Sequence, residues 1–358
     1  MNKVRISKYQ LIMMVLGFMY GVVINPAASA KQDGWLVIIL TTFAAVPVVF
    51  LFVYISLLNP EKNLLEILKR HFGKYVGSII GLLYVWYFLH LAAIVIRNFG
   101  DFVVITIFPE TPVLAVIIAM AVVIAFAVRK GLEVMARSTE ILIIFVPVSV
   151  IIITSLMLGS VDIKNWKPFL EKGIIPVLKV VKTLIGFPVG ELVIFLMIFP
   201  ALNDKKKLLK STLIGVFSVG LIFFIVNVRD LFVLGADMYS RSTFPSALAI
   251  RLIPKVNLDP FYLVSLLLGG SLKVAICIYA AVKGLAEIFS IDNYKPFVLP
   301  MTALMVALSI WLYESFFEVT TWSEKNYFAY AFPFEFIIPI ILLLMSIYKK
   351  YKSNKENK

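Results

Sequence analysis

The sequence predicts an all-α polytopic membrane protein of ten transmembrane helices, and three observations carry that prediction. Of its 358 residues 61% are apolar and the mean hydropathy is +0.96, well away from the roughly half-apolar composition of soluble domains. The apolar residues fall into ten windows of about 20 residues, the length a helix needs to cross the hydrocarbon layer. Two of those windows, the first and the sixth, are interrupted by glycine and proline. Breaks in corresponding halves of a chain point to a ligand site at the membrane midplane.

Charge and cysteine content exclude several other classes. The formal charge of +13 would suggest nucleic acid in a soluble protein, but the basic residues sit mostly between and beyond the apolar runs, so membrane orientation explains them and no nucleic-acid partner is expected. Cys277 stands alone, which rules out an intrachain disulfide framework and a multi-cysteine metal site. His71 and His90 are too far apart in sequence to make a metal cluster by themselves. No metal or cofactor is therefore expected, and without a nucleophile and base set on the spans the protein does not read as an enzyme.

In chain order, the windows are 8–30 (broken), 34–57, 76–106, 112–128, 138–158, 173–201 (broken), 208–234, 258–288, 295–313 and 328–348. The first, with Lys3, Arg5 and Lys8 before it and Ala28-Ser29-Ala30 near its end, mimics a secretory signal. Bulky aromatics in Gly17-Phe-Met-Tyr-Gly21, and the odd span count that cleavage would leave, favour its retention as a helix. The third and eighth windows are long enough to require tilt or extension past the bilayer. Residues 235–257 form the longest external connection, in which Phe244-Pro-Ser-Ala-Leu-Ala-Ile250 reads as a short helix over the outer mouth. Residues 1–348 make one membrane domain. The remainder, 349–358, is a basic tail suited to orientation and contact with anionic lipid.

Orientation follows from lysine and arginine placement. With the N-terminus cytoplasmic, inside connections carry twenty of these residues and outside connections eight. Both termini are expected inside. The two breaks lie five helices apart, which fits two five-helix repeats of inverted topology, since an odd-numbered repeat must insert the opposite way round.

Several stretches resemble a known family. Ile6-Ser-Lys-Tyr-Gln10 leading into Gly17-Phe-Met-Tyr-Gly21 and Pro26, then Asp33-Gly34-Trp35, and later Gly186-Phe-Pro-Val-Gly-Glu191 with Phe199-Pro200, are similar to the B subunits of spore germinant receptors, the spore permease family. The resemblance covers essentially the whole chain. It implies the LeuT-like fold of the amino acid, polyamine and organocation transporters, with broken helices 1 and 6. It also implies a nutrient-sensing subunit of the bacterial spore inner membrane that works in germination with a larger A subunit and a lipoprotein C subunit. A proton-coupled amino acid transporter is the alternative.

Candidate site residues cluster at the breaks. Gly21, Val22, Val23 and Asn25 form the first, where Asn25 reads as an N-cap ahead of Pro26 so that the following NH groups face a carboxylate. A plain kink is the simpler reading, and Gly17 and Gly21 equally suit a close helix contact. Gly186, Phe187, Gly190 and Glu191 form the second. Burying Glu191 as a charge costs several kcal/mol, so it must face a cavity, pair or carry a proton. Leu91, Ile94 and Asn98 make an i, i+3, i+7 stripe on span 3, expected to face the breaks or simply to pack. Arg97 and Asp101 can pair as an outer gate or an unremarkable interfacial ion pair. Lys273, beside Gly269 and Gly270 in span 8, stands where the implied fold holds a cation between spans 1 and 8. Its ammonium either replaces that ion on the carbonyls of helix 1 or pairs with an acid such as Glu191 or Glu335. Lys179 and Lys182 either line an external vestibule or, as the simpler reading, snorkel outward, and His90 reads as packing.

Overall fold

The computed structural model describes residues 4–253 and 257–356. Of the basic residues used above for orientation, Lys3, Lys255 and Lys358 lie outside the described residues. Every regular element described is helical.

Helix α1 (Lys8–Tyr20) starts at a capping box in which Ser7 accepts from the Gln10 amide and the Gln10 side chain accepts from Ser7 N. It ends at Gly21, where β-branched Val22, Val23 and Ile24 weaken helix propensity and Pro26 bars its continuation. A 3-10 segment (Pro26–Asp33) follows, and α2 (Gly34–Leu58) descends from it. Then come α3 (Leu64–Phe72), a short amphipathic helix that the sequence reading left as a connection, and α4 (Lys74–Thr106). At Gly73, with φ +80, the chain turns between them as few other residues can. With 33 residues, α4 is about 50 Å long, well over the thickness of the hydrocarbon layer.

Helices α5 (Val113–Lys130), α6 (Leu132–Leu142) and α7 (Phe145–Met157) lead to the second break. There, α8 (Ile174–Leu184) gives way to a π turn (Ile185–Val189) whose Phe187 is extended at φ −116 and ψ 114, and then to a 3-10 segment (Gly190–Met197). Helix α9 (Leu208–Arg241) turns at Gly235, with φ +73, close to the expected end of span 7. The anticipated short helix follows as α10 (Pro245–Arg251), with proline in its first turn. Next come α11 (Asp259–Ile288) and α12 (Val298–Trp311), and then α13 (Phe316–Lys325), bent 95° from α12. Last are α14 (Tyr327–Phe332), a π turn (Pro333–Ile337) and α15 (Ile338–Glu356). The expected tail thus continues a helix through Glu356.

Eight of the described helices are long and apolar enough to cross a membrane, or nine if the bent pair is one span. The count of ten is not reached on that criterion, because a break divides a span into pieces shorter than a bilayer crossing. Helix α1 has only 13 residues.

Hydrogen bonds gather the connections into two groups. Ile6 pairs with the 201–203 strand-like segment, Arg5 N donates to Glu133, Asn59 Nδ2 donates to Ser346, and Lys69 Nζ donates to the Glu287 carbonyl. All of these lie in, or at a span end next to, connections assigned inside by charge. On the other side, Leu170 N donates to Asp33 Oδ1, Asp162 N to the Phe232 carbonyl, and Arg251 to the Thr106 carbonyl. Helices α4 and α11 form the spine between these ends, with Gly270 and Gly284 receiving Phe99 and Val85 of α4.

Candidate functional site

The two breaks border two small cavities, and the structure divides the expected site residues between them. One cavity, of about 40 Å³, is lined by Leu91, Ile94 and Asn98 of α4, by Phe187 and Glu191 of the second break, and by Thr320, Ser323, Glu324, Tyr327 and Phe328. The other, of about 70 Å³, is lined by Val22, Val23 and Asn25, by Phe187, and by Asn227, Arg229, Ser246 and Ser265. Ile24, Pro26 and Phe187 wall both. The expected stripe on α4 therefore does face the breaks, at the first cavity.

Glu191 is fully buried. Its Oε1 accepts from the Tyr327 hydroxyl at 2.7 Å and its Oε2 lies 2.5 Å from Lys273 Nζ, also fully buried. The rings of Phe18 and Phe187 flank that ammonium, with centroids 5.1 and 4.7 Å away, a favourable placement over their π faces. Lys273 thus stands at the α1–α11 contact as expected. Its partner is a carboxylate, however, and no hydrogen bond to a helix 1 carbonyl is found among the described residues. The alternative pairing holds, for a physical reason: an ammonium without water gains more from a full opposite charge than from carbonyl dipoles.

A second carboxyl lies close by. Glu335 Oε1 accepts from Tyr87 at 2.7 Å, and the Tyr87 and Tyr327 hydroxyls are 3.3 Å apart. Glu191, Tyr327, Tyr87 and Glu335 consequently form one buried polar chain. The sequence named Glu335 only as a possible lysine partner and missed both tyrosines. A carboxylate between Pro333 and the end of the bundle, set in an apolar run, was the available signal.

The three glycines of the expected site line neither cavity. A Cβ on Gly21 would lie 2.6 Å from the Gly269 carbonyl oxygen and 2.9 Å from Lys273 Cβ, so Gly21 serves the close contact of α1 with α11. On Gly186 it would meet Phe328, and on Gly190 it would overlap the Glu335 carboxyl. Gly190 thus makes room for the Glu335 carboxyl.

Asn25 precedes Pro26 as expected, yet its side chain caps nothing. Instead Asn25 Nδ2 donates to Asn227 Oδ1 at 3.0 Å and approaches the Tyr239 hydroxyl at 3.4 Å. Arg97 and Asp101 are paired at 2.9 Å and buried, and Arg97 Nη1 also donates to the Ser309 and Tyr313 carbonyls. They fasten α4 to the end of α12 and line neither cavity. His90 packs among Trp86, Trp322 and Tyr330. Lys182 lies over the Phe328 ring, 4.8 Å from its centroid. Sequence reasoning passed over Arg229 and Asp230, a buried ion pair of 2.6 Å on α9 with Ser246 donating to Asp230. Two adjacent opposite charges inside an apolar span were the signal.

The family model for spore germination proteins of the spore permease type matches residues 5–317. Spore germination protein KB of Bacillus subtilis (strain 168) is 32% identical over 366 residues, covering 99% of this chain and 98% of that one. Spore germination protein YndE of the same organism is 27% identical over 300 residues, covering 80% and 81%. Among solved structures, the chain is similar to Mhp1, a nucleobase-cation-symport-1 family transporter in a closed conformation, with TM-score 0.72 and 14% identity over 95% of this chain and 78% of that one. It is also similar to MhsT in complex with L-phenylalanine, with TM-score 0.65 and 13% identity over 97% and 99%. The fold is that of LeuT-like transporters.

Proposed function

Because the chain belongs to the spore permease family of spore germination proteins, we propose that it is a germinant receptor subunit that binds an amino acid in the cavity between the breaks and signals to partner subunits. The supporting observation is the polarity of that cavity. Asn98 Oδ1 is buried without a hydrogen-bond partner and Glu191 lies at the same wall. Glu324 adds a second acid, and no lysine, arginine or histidine lines the space among the described residues. Acidic side chains and an orphan carbonyl oxygen on a lining without a cationic side chain suit an ammonium group, and a buried orphan acceptor gains most from a ligand that satisfies it.

At about 40 Å³ the cavity has room for little more than water. A nutrient therefore needs its walls to move. Phe187 borders both cavities, so its displacement would join them. Binding then favours a more open packing over this one, and a ligand shifts such an equilibrium only by its difference in affinity for the two states. That shift is the signal. The partners in this reading are the A and C receptor subunits implied by the family resemblance, and the site of action is the spore inner membrane. Both termini are on the cytoplasmic side, in keeping with the charge excess at the end of the bundle that holds Arg5, Lys69 and Ser346.

Thermal stability of the purified protein, screened over amino acids, sugars and nucleosides, tests the ligand class. A ligand at a hundred times its Kd adds about 2.7 kcal/mol of stability. Stabilisation by amino acids alone supports the proposal, and stabilisation by sugars alone contradicts it. Proton-coupled transport is the other reading, favoured by the buried Glu191–Lys273 pair; uptake of labelled amino acid into vesicles separates the two.

A further inference from the structure

Among the described residues three buried ion pairs hold the bundle, and two buried acids stand outside them: Asp33, which accepts from the Leu170 amide, and Glu335. Arg97 has Asp101, and Arg229 has Asp230. Lys273 has Glu191 at 2.5 Å. Glu335, fully buried, has no cation within ion-pair distance among the described residues, and its Oε2 is without a hydrogen-bond partner. Two acids and one base thus share a cluster with no exposure to the surrounding solvent.

The groups that face Glu335 come from each surrounding element. From α4, Tyr87 donates to Oε1, while Tyr84 donates to the Phe334 carbonyl. Tyr327 of α14 donates to Glu191 and touches Tyr87. From the second break, the Gly186 and Gly190 backbone lies against Oε2, and Glu191 follows directly. Among the described residues the base there is Lys273 of α11, and it is held by Glu191. Were both acids ionised, the cluster would hold one uncompensated negative charge away from water, which burial strongly disfavours.

We propose that Glu335 is a proton-binding site, its carboxyl protonated in this packing so that the cluster of Glu191, Lys273 and Glu335 is electrically neutral. With Tyr87 donating to Oε1, that proton sits on Oε2, the oxygen against the Gly186 and Gly190 backbone. Proton occupancy there is set by the charge count of the cluster: a change that removes the Glu191 charge lets Glu335 ionise against Lys273 and give up its proton to solvent.

Infrared difference spectroscopy of the purified protein at neutral pH, with no nutrient present, tests this independently of the receptor reading. The signal is the carbonyl stretch of a protonated carboxyl that exchanges slowly with D2O. Wild type should show one such band, and Glu335→Gln, which keeps the shape of the protonated group, should abolish it. Glu191→Gln should abolish it too, since Lys273 is then free to pair with Glu335. A band unchanged by Glu335→Gln would overturn the proposal. So would a band that persists in Glu191→Gln, because the proton would then be held regardless of the neighbouring charge.

Discussion

Lys273 Nζ and Glu191 Oε2 lie 2.5 Å apart with both side chains fully buried, joining α11 to the segment that resumes after the second break. Neither group reaches water, so each depends on the other. Breaking such a pair by removing one partner costs about 3–5 kcal/mol, whereas replacing both by neutral groups costs far less. Lys273→Met should therefore lower the melting temperature sharply, and Lys273→Met with Glu191→Gln should recover most of the loss. Equal stability of the single and double variants would show that the two do not act as a pair.

Gly190 and Glu335 make a second testable contact. The Cβ of any other residue at 190 would overlap the Glu335 carboxyl. Gly190→Ala should destabilise the protein by about 1–3 kcal/mol through overpacking, and Glu335→Ala in the same chain should restore part of it. Thermal melts of the three variants decide the matter.

His71 of α3 lies outside the spans, with its Nε2 3.0 Å from the Ser346 hydroxyl of α15. Burial, followed by the charges of Lys349 and Arg70, holds its pKa below the usual 6.5. The folded state thus favours the neutral ring. A depressed pKa contributes stability above the unfolded value, and that contribution is lost as pH falls through the folded value. Acidification below about 6.5 should loosen the α3–α15 contact, seen as faster amide exchange in residues 64–72. His71→Asn should flatten that pH dependence; an unchanged profile would assign it elsewhere.

Topology is open to a direct test. Thr243 and Lys350 are both exposed, and the native Cys277 is buried. An impermeant thiol reagent added from outside should label Thr243→Cys and not Lys350→Cys. The reverse pattern would invert the orientation derived from lysine and arginine placement.

Much of the architecture was legible because membrane burial leaves so few options. Gly21 to Pro26 and Gly186 to Gly190 had to interrupt their spans, and they do. The 95° turn into α13 was not legible, since residues 316–325 mix Glu318, Glu324 and Lys325 with aromatics and show no continuous apolar run. Nor was the cluster around Glu191 legible in full: Tyr87 and Tyr327 are 240 residues apart, and only the packing of α14 against α4 brings them together. The division into two cavities rests on the extended backbone of Phe187, a local conformation that the glycine and proline around it permit but do not specify. Lys273 shows the intermediate case. Its unusual position was evident, while the choice between carbonyls and a carboxylate depended on where Glu191 points.

The central claim is that an amino acid binds against Asn98 and Glu191 in the cavity between the breaks. Asn98→Leu removes the unpartnered acceptor with little change in volume, and Asn227→Leu alters the neighbouring cavity. The measurement is amino acid binding to the purified protein, by calorimetry or ligand-dependent melting, with membrane abundance recorded for each variant. Asn98→Leu should lose binding at least tenfold, or about 1.4 kcal/mol, at normal abundance, while Asn227→Leu at normal abundance retains it. Full binding by Asn98→Leu together with loss in Asn227→Leu would contradict the account and move the ligand to the other side of Phe187.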